Sequence, residues 1–286
     1  MIVALNTLVH VPPVLLLAVI KAALPLAPLR RGINRLLMAI SESWIAVNSW
    51  LIDAFTTTRV SVESDAELSA AGHYLVLANH QSWVDIPVLQ KVLNRKIPLL
   101  RFFLKSQLFW VPLLGLAWWA LDFPFMKRYT QAQIRKNPKL AGRDIKATRK
   151  ACAKFKDIPV SVMNFVEGTR ITPAKHARMG GGHTHLLRPK AGGVAFVLDA
   201  MGGALDAVLD ITVVYPAGRP TLLDLFANRI PEVKLHIQQR PIPLPFDASS
   251  DKPDSSALAE IRGWVNQLWE EKDRRIGQML DTPASD

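Results

Sequence analysis

The stretch VLANHQSWVDIPVL, residues 76–89, decides how this chain is read. An apolar run beginning at Tyr74 halts at Asn79-His80, Asp85 follows five residues after the histidine, and apolar residues then resume. A short apolar run bounded by polar residues reads as a buried strand. In open α/β sheets, functional side chains gather beyond the carboxyl ends of such strands. A lone histidine is usually structural. The carboxylate changes the reading, because Asp85 can accept a hydrogen bond from one ring nitrogen of His80, fix its tautomer and leave the other nitrogen as a base. His80 and Asp85 are therefore the candidate catalytic dyad.

Working outward, Tyr74–Ala78, Ile97–Leu104, Trp119–Met126, Ile158–Phe165, Val208–Tyr215 and Val233–Gln239 read as strands. Between and after them lie helical stretches. Leu140–Phe155 carries Lys146, Arg149, Lys150 and Lys154, and Ser255–Met279 sets Leu258, Ile261, Val265, Leu268 and Trp269 on one side. This alternation predicts an α/β domain whose mixed, mostly parallel sheet is flanked by helices. Leu108–Leu121 is apolar but contains Pro112 and Gly115. It is too short for a span and reads as a buried or interfacial element, its tryptophans suiting a headgroup-level surface.

With 286 residues, 49% hydrophobic and 21% charged, the chain can bury a large core, and its composition argues against long disorder. A formal charge of +11 suits an acidic partner: nucleic acid, anionic lipid or a phosphorylated substrate. The single Cys152 excludes an internal disulfide and a cysteine-rich metal site, and fits a reducing compartment. Residues 1–20 contain no Asp, Glu, Lys or Arg, and apolar character continues to Leu29. Pro12-Pro13, Pro25 and Pro28 are expected to break the run, leaving Val14–Leu24 uninterrupted. Arg30, Arg31 and Arg35 come after the apolar residues, the reverse of a secretory signal, and would stay in the cytoplasm. The reading is an uncleaved membrane segment, spanning or re-entrant, against a cleaved signal or a buried helix. Ile33, Leu36, Leu37, Ile40, Trp44, Val47, Leu51 and Phe55 form one apolar helical face, set against the core or, beside an anchor, in the membrane interface. The expected division is membrane-anchoring helices over 1–58 and a catalytic domain over 59–286.

A serine hydrolase needs a nucleophile elbow, and the chain has no G-x-S-x-G. The hydroxyl that His80 activates thus belongs to the substrate. NFVEGTR, residues 164–170, supplies the other half. Arg170 offers a planar fork of donors matched to phosphate, Gly168 lets backbone approach closely, and Thr169 adds a hydroxyl. Glu167 would repel phosphate, so it is expected to orient Arg170 or accept from a substrate hydroxyl. The bland alternative is a strand-ending turn with a surface ion pair. His183 and His185 sit in HARMGGGHTHLLRPKAGG, residues 176–193, without an accompanying carboxylate or cysteine, so no metal site is assigned. Lys127 and the lysines of 146–156 are placed either on phosphates and anionic lipid or on a solvated helix face.

These motifs carry a resemblance. N-H-x-x-x-x-D at 79–85, followed about 80 residues later by F-V-E-G-T-R at 165–170, resembles the glycerolipid acyltransferases (the PlsC-like, lysophosphatidic acid acyltransferase family). FLKSQLFWVPLLG at 103–115 resembles that family's segment after the first motif, with Lys105 at its basic position. FPFMKR at 123–128 resembles the second block, with Arg128 at its arginine, and LDITVVYP at 209–216 the last. The likeness covers residues 70–216. Val166 stands where many members have proline, and WALDFPFMKR resembles the long-chain lysophospholipid branch, including bacterial YihG-type proteins.

The resemblance implies the glycerolipid acyltransferase fold. It also implies transfer of a fatty acyl group from acyl-CoA or acyl carrier protein to a lysophospholipid hydroxyl, foremost that of 1-acyl-sn-glycerol-3-phosphate. The alternative acceptors are another lysophospholipid or an amino-acid-containing lipid. Arg188 and Lys190, near an L-x-P-K pattern, become further phosphate contacts. The acyl thioester is a co-substrate, no resident cofactor is expected, and the bilayer is the partner, at a bacterial inner membrane with the catalytic domain on the cytoplasmic side. Nucleic-acid binding rests on charge alone, with no binding module to support it.

Overall fold

A computed structural model describes residues 2–24, 26–126, 135–136, 158–179, 181–243 and 255–282. In chain order the strands are β1 (Arg59–Ser64), β2 (His73–Ala78), β3 (Leu100–Phe102), β4 (Leu104–Lys105), β5 (Phe125–Met126), β6 (Val160–Phe165), β7 (Ala207–Val214) and β8 (Glu232–Arg240). The helices are α1 (Ile2–Ala23), α2 (Ala27–Phe55), α3 (Asp85–Leu93), α4 (Leu114–Ala120), α5 (Pro173–Met179), α6 (Ala191–Met201), α7 (Leu222–Phe226) and α8 (Ser255–Asp281). Six strands form one sheet in the order β1-β8-β7-β2-β6-β3. Its pairings are parallel except β7–β8, which gives the mixed, mostly parallel sheet expected.

Residues of β2 alternate between two buried faces. Tyr74, Val76 and Ala78 join Leu209, Ile211 and Val213 against Val88, Leu89 and Val92 of α3. Leu75 and Leu77 join Val162 and Val208 against Val194 and Leu198 of α6 and Ile261, Val265 and Trp269 of α8. Each fully buried Leu or Val contributes about 1.5–3 kcal/mol. With cover on both sides, β2 projects its carboxyl end and whatever follows it to one rim of the sheet.

The N-terminal expectation needs one correction. Pro12 and Pro13 lie inside a continuous α1. Prolines delete the amide donors that would bond the carbonyls four residues earlier, but lateral contacts to α2 hold the helix. Asn6 donates to the Trp44 carbonyl at 3.0 Å and to Asn48 at 2.8 Å, His10 meets Ser43 at 3.1 Å, and Val11, Val14 and Ala18 pack with Ile33 and Leu37. By length and composition α1 can cross a membrane. The buried stripe of α2 is Ile33, Leu37, Ser41, Ile45, Leu51 and Ile52, whereas Leu36 and Phe55 of the expected stripe, with Trp50, face outward.

Two expected strands also differ. Ile97–Leu104 resolves into β3 on the main sheet and β4 in a separate two-stranded sheet with β5. Trp119 and Ala120 belong to α4, and only Phe125–Met126 is extended. Asp122 takes a left-handed φ of 59°, and the Leu104 amide bonds the Pro124 carbonyl at 2.9 Å, so the apolar run folds into a helix and a turn. A Cβ at Gly115 would stand 1.9 Å from the Phe109 carbonyl oxygen, so only glycine permits this turn. Trp110 and Trp119 are exposed. The expected helix Leu140–Phe155, with Cys152, Lys127 and Arg128, lies outside the described residues.

Candidate active site

At the carboxyl end of β2, Asn79 extends the strand's work with its side chain. Fully buried, its amide donates to the Val213 carbonyl at 2.9 Å and its oxygen accepts from the Val213 amide at 2.8 Å, clamping β2 to β7. The chain then turns so that His80 Nδ1 lies 2.7 Å from Asp85 Oδ2. The same oxygen accepts the amides of Gln81 at 2.7 Å and Ser82 at 3.0 Å, and Oδ1 accepts the Tyr215 hydroxyl at 2.7 Å. Asp85 also opens α3, where the helix dipole favours a negative charge. Tyr215 follows β7, which runs parallel to β2, so the register carries its ring beneath the turn. Burial first, and then the Asp85 carboxylate, push the Tyr215 phenol well above its ordinary range, which keeps it a donor.

A carboxylate only accepts, so Nδ1 carries the proton and Nε2 is left for an external hydroxyl. The ring is further fixed by stacking on Phe165, centroids 3.9 Å apart, and Phe165 is the residue opposite Ala78 in the β2–β6 pair. Ser82 is buried and donates to the Pro220 carbonyl at 2.6 Å, a structural use.

The second cluster lands beside the first. Gly168 adopts a φ of 69°, a left-handed value that lets the chain reverse after β6. The Ile171 amide then bonds the His80 carbonyl at 3.0 Å, holding Arg170 against the histidine loop. The Arg170 guanidinium sits 4.2 Å over the ring of Trp83, which is 49% exposed, so the cation is positioned at the mouth of the site. Lys175, on α5, donates to the Thr169 hydroxyl oxygen at 2.7 Å and to the Arg170 carbonyl at 3.0 Å. Thr169 thereby keeps its own proton to donate.

Glu167 behaves otherwise than expected. It has no exposed surface and makes no contact with Arg170; its Oε1 accepts the Leu187 amide at 3.4 Å. Burial raises its pKa to about 8, against the pull of the Leu187 and His80 backbone amides. At neutral pH it is a protonated spacer beneath the turn rather than an anion facing a phosphate.

The remaining expected contacts divide. Lys105 is exposed on β4, opposite Met126 of β5 and so near in sequence to Arg128, which is outside the described residues. Arg188 and Lys190 are exposed, and the Lys190 amide bonds the Val166 carbonyl at 2.8 Å, which brings that segment to the β6 turn. His176 Nε2 meets the His183 carbonyl at 2.8 Å, and among the described residues no three metal-binding side chains converge. Sequence reading missed Asn79, Tyr215 and Lys175. Asn79 and Tyr215 lie inside motifs already quoted, whereas no signal marked Lys175.

A model of the Acyltransferase family matches residues 59–216, more than half of the chain. The chain is 28% identical over 248 residues to lysocardiolipin acyltransferase 1 of Mus musculus, covering 82% of this chain and 61% of that protein. It is 22% identical over 231 residues to 1-acyl-sn-glycerol-3-phosphate acyltransferase epsilon of Mus musculus, covering 73% and 58%. The chain thus spans about three-fifths of the length of these relatives. The crystal structure of the 1-acyl-sn-glycerophosphate (LPA) acyltransferase PlsC from Thermotoga maritima shares its fold, with a TM-score of 0.51 at 16% identity over 99% of this chain and 100% of that one.

Proposed function

We propose, for a chain that belongs to the acyltransferase family, that it moves a fatty acyl group from a thioester, acyl-CoA or acyl carrier protein, to the free hydroxyl of 1-acyl-sn-glycerol-3-phosphate. The observation that carries this reading is the 2.7 Å His80–Asp85 contact beside Arg170, with no serine placed as a nucleophile among the described residues. His80 Nε2 takes the proton of the acceptor hydroxyl as its oxygen attacks the thioester carbonyl. The new ester C–O bond forms, the C–S bond breaks, and the imidazolium returns the proton to the departing thiolate. General-base help of this kind contributes roughly 10²–10⁴-fold, and fixing the acceptor by its phosphate supplies positioning. Arg170, Thr169 and Lys175 are the groups to hold that phosphate.

The exposed apolar side chains of α1, with Trp110 and Trp119, support placement at a bilayer. Arg30, Arg31 and Arg35 support a cytoplasmic catalytic side at a bacterial inner membrane. The likeness to lysocardiolipin acyltransferases favours a second reading in which a larger lysophospholipid is the acceptor.

The test is product analysis by mass spectrometry, using the purified chain in detergent with several lysophospholipids and both thioesters. His80→Ala should lower acyl transfer by roughly 10³-fold or more; undiminished turnover in that variant refutes the proposed base. Arg170→Ala should lower kcat/KM for a phosphate-bearing acceptor by about 10–100-fold.

A further inference from the structure

The sheet face turned away from α3 is apolar under α6 and α8 but changes character towards β8. There the antiparallel register sets Asp210 opposite Gln238 and Thr212 opposite His236. These side chains, with Arg240 and residues of α8, line a cavity of about 250 Å³ that includes neither His80 nor Asp85. Its lining does not balance its charges. Lys272, fully buried, meets Asp210 at 2.5 Å and donates to the Ile211 carbonyl at 2.7 Å. Arg240 donates to Glu271 at 2.6 Å and to Gln238 at 3.0 Å. These two cations match the two carboxylates of the lining. Arg274 and Arg275 line the same space with no carboxylate partner among the described residues, so the described lining carries two cations in excess. Glu63 of β1 reaches His236 only at 4.0 Å, from outside, and is 73% exposed.

A second observation points the same way. Arg240 Nε is shielded from solvent yet has no hydrogen-bond acceptor, lying 3.5 Å from Asp210 in poor alignment. A buried donor left unmade is costly, and a network serving stability alone gains nothing from additional arginines. Guanidinium groups beside an ammonium are the arrangement that receives phosphoryl oxygens. The face lies opposite α3 and the α2 residues packed on it, so a ligand arrives from water rather than from the bilayer.

We propose that this cavity binds the phosphoryl groups of a water-soluble compound, at a site separate from the dyad. Binding is measured by calorimetry on the detergent-solubilised full chain, with inorganic pyrophosphate and, separately, adenosine 3′,5′-bisphosphate as probes. The background is Arg170→Ala, which disables the catalytic phosphate cradle. Saturable binding should persist there, and the added pair Arg274→Gln/Arg275→Gln should weaken it at least 10-fold while His80-dependent acyl transfer in the otherwise wild-type chain stays unchanged. Tighter binding of the bisphosphate assigns a nucleotide-type ligand; equal binding assigns a simple diphosphate. Absence of binding, or binding untouched by the arginine pair, overturns the proposal. So does a loss confined to flotation on anionic phospholipid vesicles, which would make these arginines a lipid contact.

Discussion

Asp85 and Glu167 stand in like places, each a carboxyl with no exposed surface just beyond the carboxyl end of a parallel core strand. Their surroundings differ. Asp85 receives four donors: the His80 ring, the Gln81 and Ser82 amides and the Tyr215 hydroxyl. Glu167 has one geometrically sound donor, the Leu187 amide at 3.4 Å, and its Oε2 has none. Burial then raises the Glu167 pKa to about 8. Taking a carboxylate out of water costs several kcal/mol unless donors replace the water. Equal burial therefore yields a hydrogen-bonded instrument in one place and a protonated filler in the other. What separates them is the convergence of donors.

The largest effect expected from this contrast is at Asp85. Asparagine keeps the shape but offers an N–H₂ group where amides already donate, and it releases the histidine tautomer. Asp85→Asn should lower kcat by roughly 10³–10⁴-fold and destabilise the fold by about 2–4 kcal/mol. Steady-state kinetics and urea unfolding check both. A variant retaining more than a tenth of wild-type kcat would remove Asp85 from the mechanism and erase the contrast.

The next effect belongs to Glu167 and shows in stability. Its folded pKa of about 8 lies above the ordinary 4.5, so the native state holds a proton that the unfolded chain releases. The linkage slope is negative wherever the native state binds more protons. Stability is thus full below pH 4.5, falls as pH rises towards 8 and is flat beyond. The amplitude is on the order of 5 kcal/mol. Glu167→Gln should remove that descent, so the difference between variant and wild-type unfolding free energies grows from pH 5 to pH 8. A constant difference would mean that Glu167 is charged when folded.

Much of this was legible in the chain because fully covered strands are written as continuous apolar runs. β2, β6, β7 and β8 fall within two residues of expectation. β1 was not legible, because RVSVES is mostly exposed at the sheet edge and offers only Val60 and Val62 rather than a continuous apolar run. Apolar run alone also failed at Trp119–Met126, where a left-handed Asp122 and a helix end decide the path. In the site, His80, Asp85 and Arg170 were visible because each motif is local. Tyr215 lies 130 residues from Asp85 and reaches it only through the parallel register of β2 and β7. The burial of Glu167 depends on Leu187, 20 residues on, and no local pattern encodes that contact. The prolines of α1 misled for the same reason, since side chains of α2 hold that helix together.

The smallest effect tests whether the fourth donor matters. Tyr215→Phe removes only the hydroxyl that meets Asp85 Oδ1 at 2.7 Å and leaves the buried ring among its apolar neighbours. A hydrogen bond to a charged group contributes about 1.5–3 kcal/mol, part of which the remaining donors retain. Those donors, the histidine and two amides, all converge on Oδ2, so losing Tyr215 leaves Oδ1 buried without a partner and the carboxylate free to swing. The phosphate cradle of Arg170 and Lys175 is untouched by the change. Hence kcat should fall roughly tenfold while KM for the acceptor stays constant, because the dyad's orientation counts only while the proton moves. A rise in KM with constant kcat would place Tyr215 among the binding groups. Unchanged kinetics would mean that three donors on one oxygen suffice to hold Asp85, and that it is their number, rather than their spread over both oxygens, that distinguishes it from Glu167.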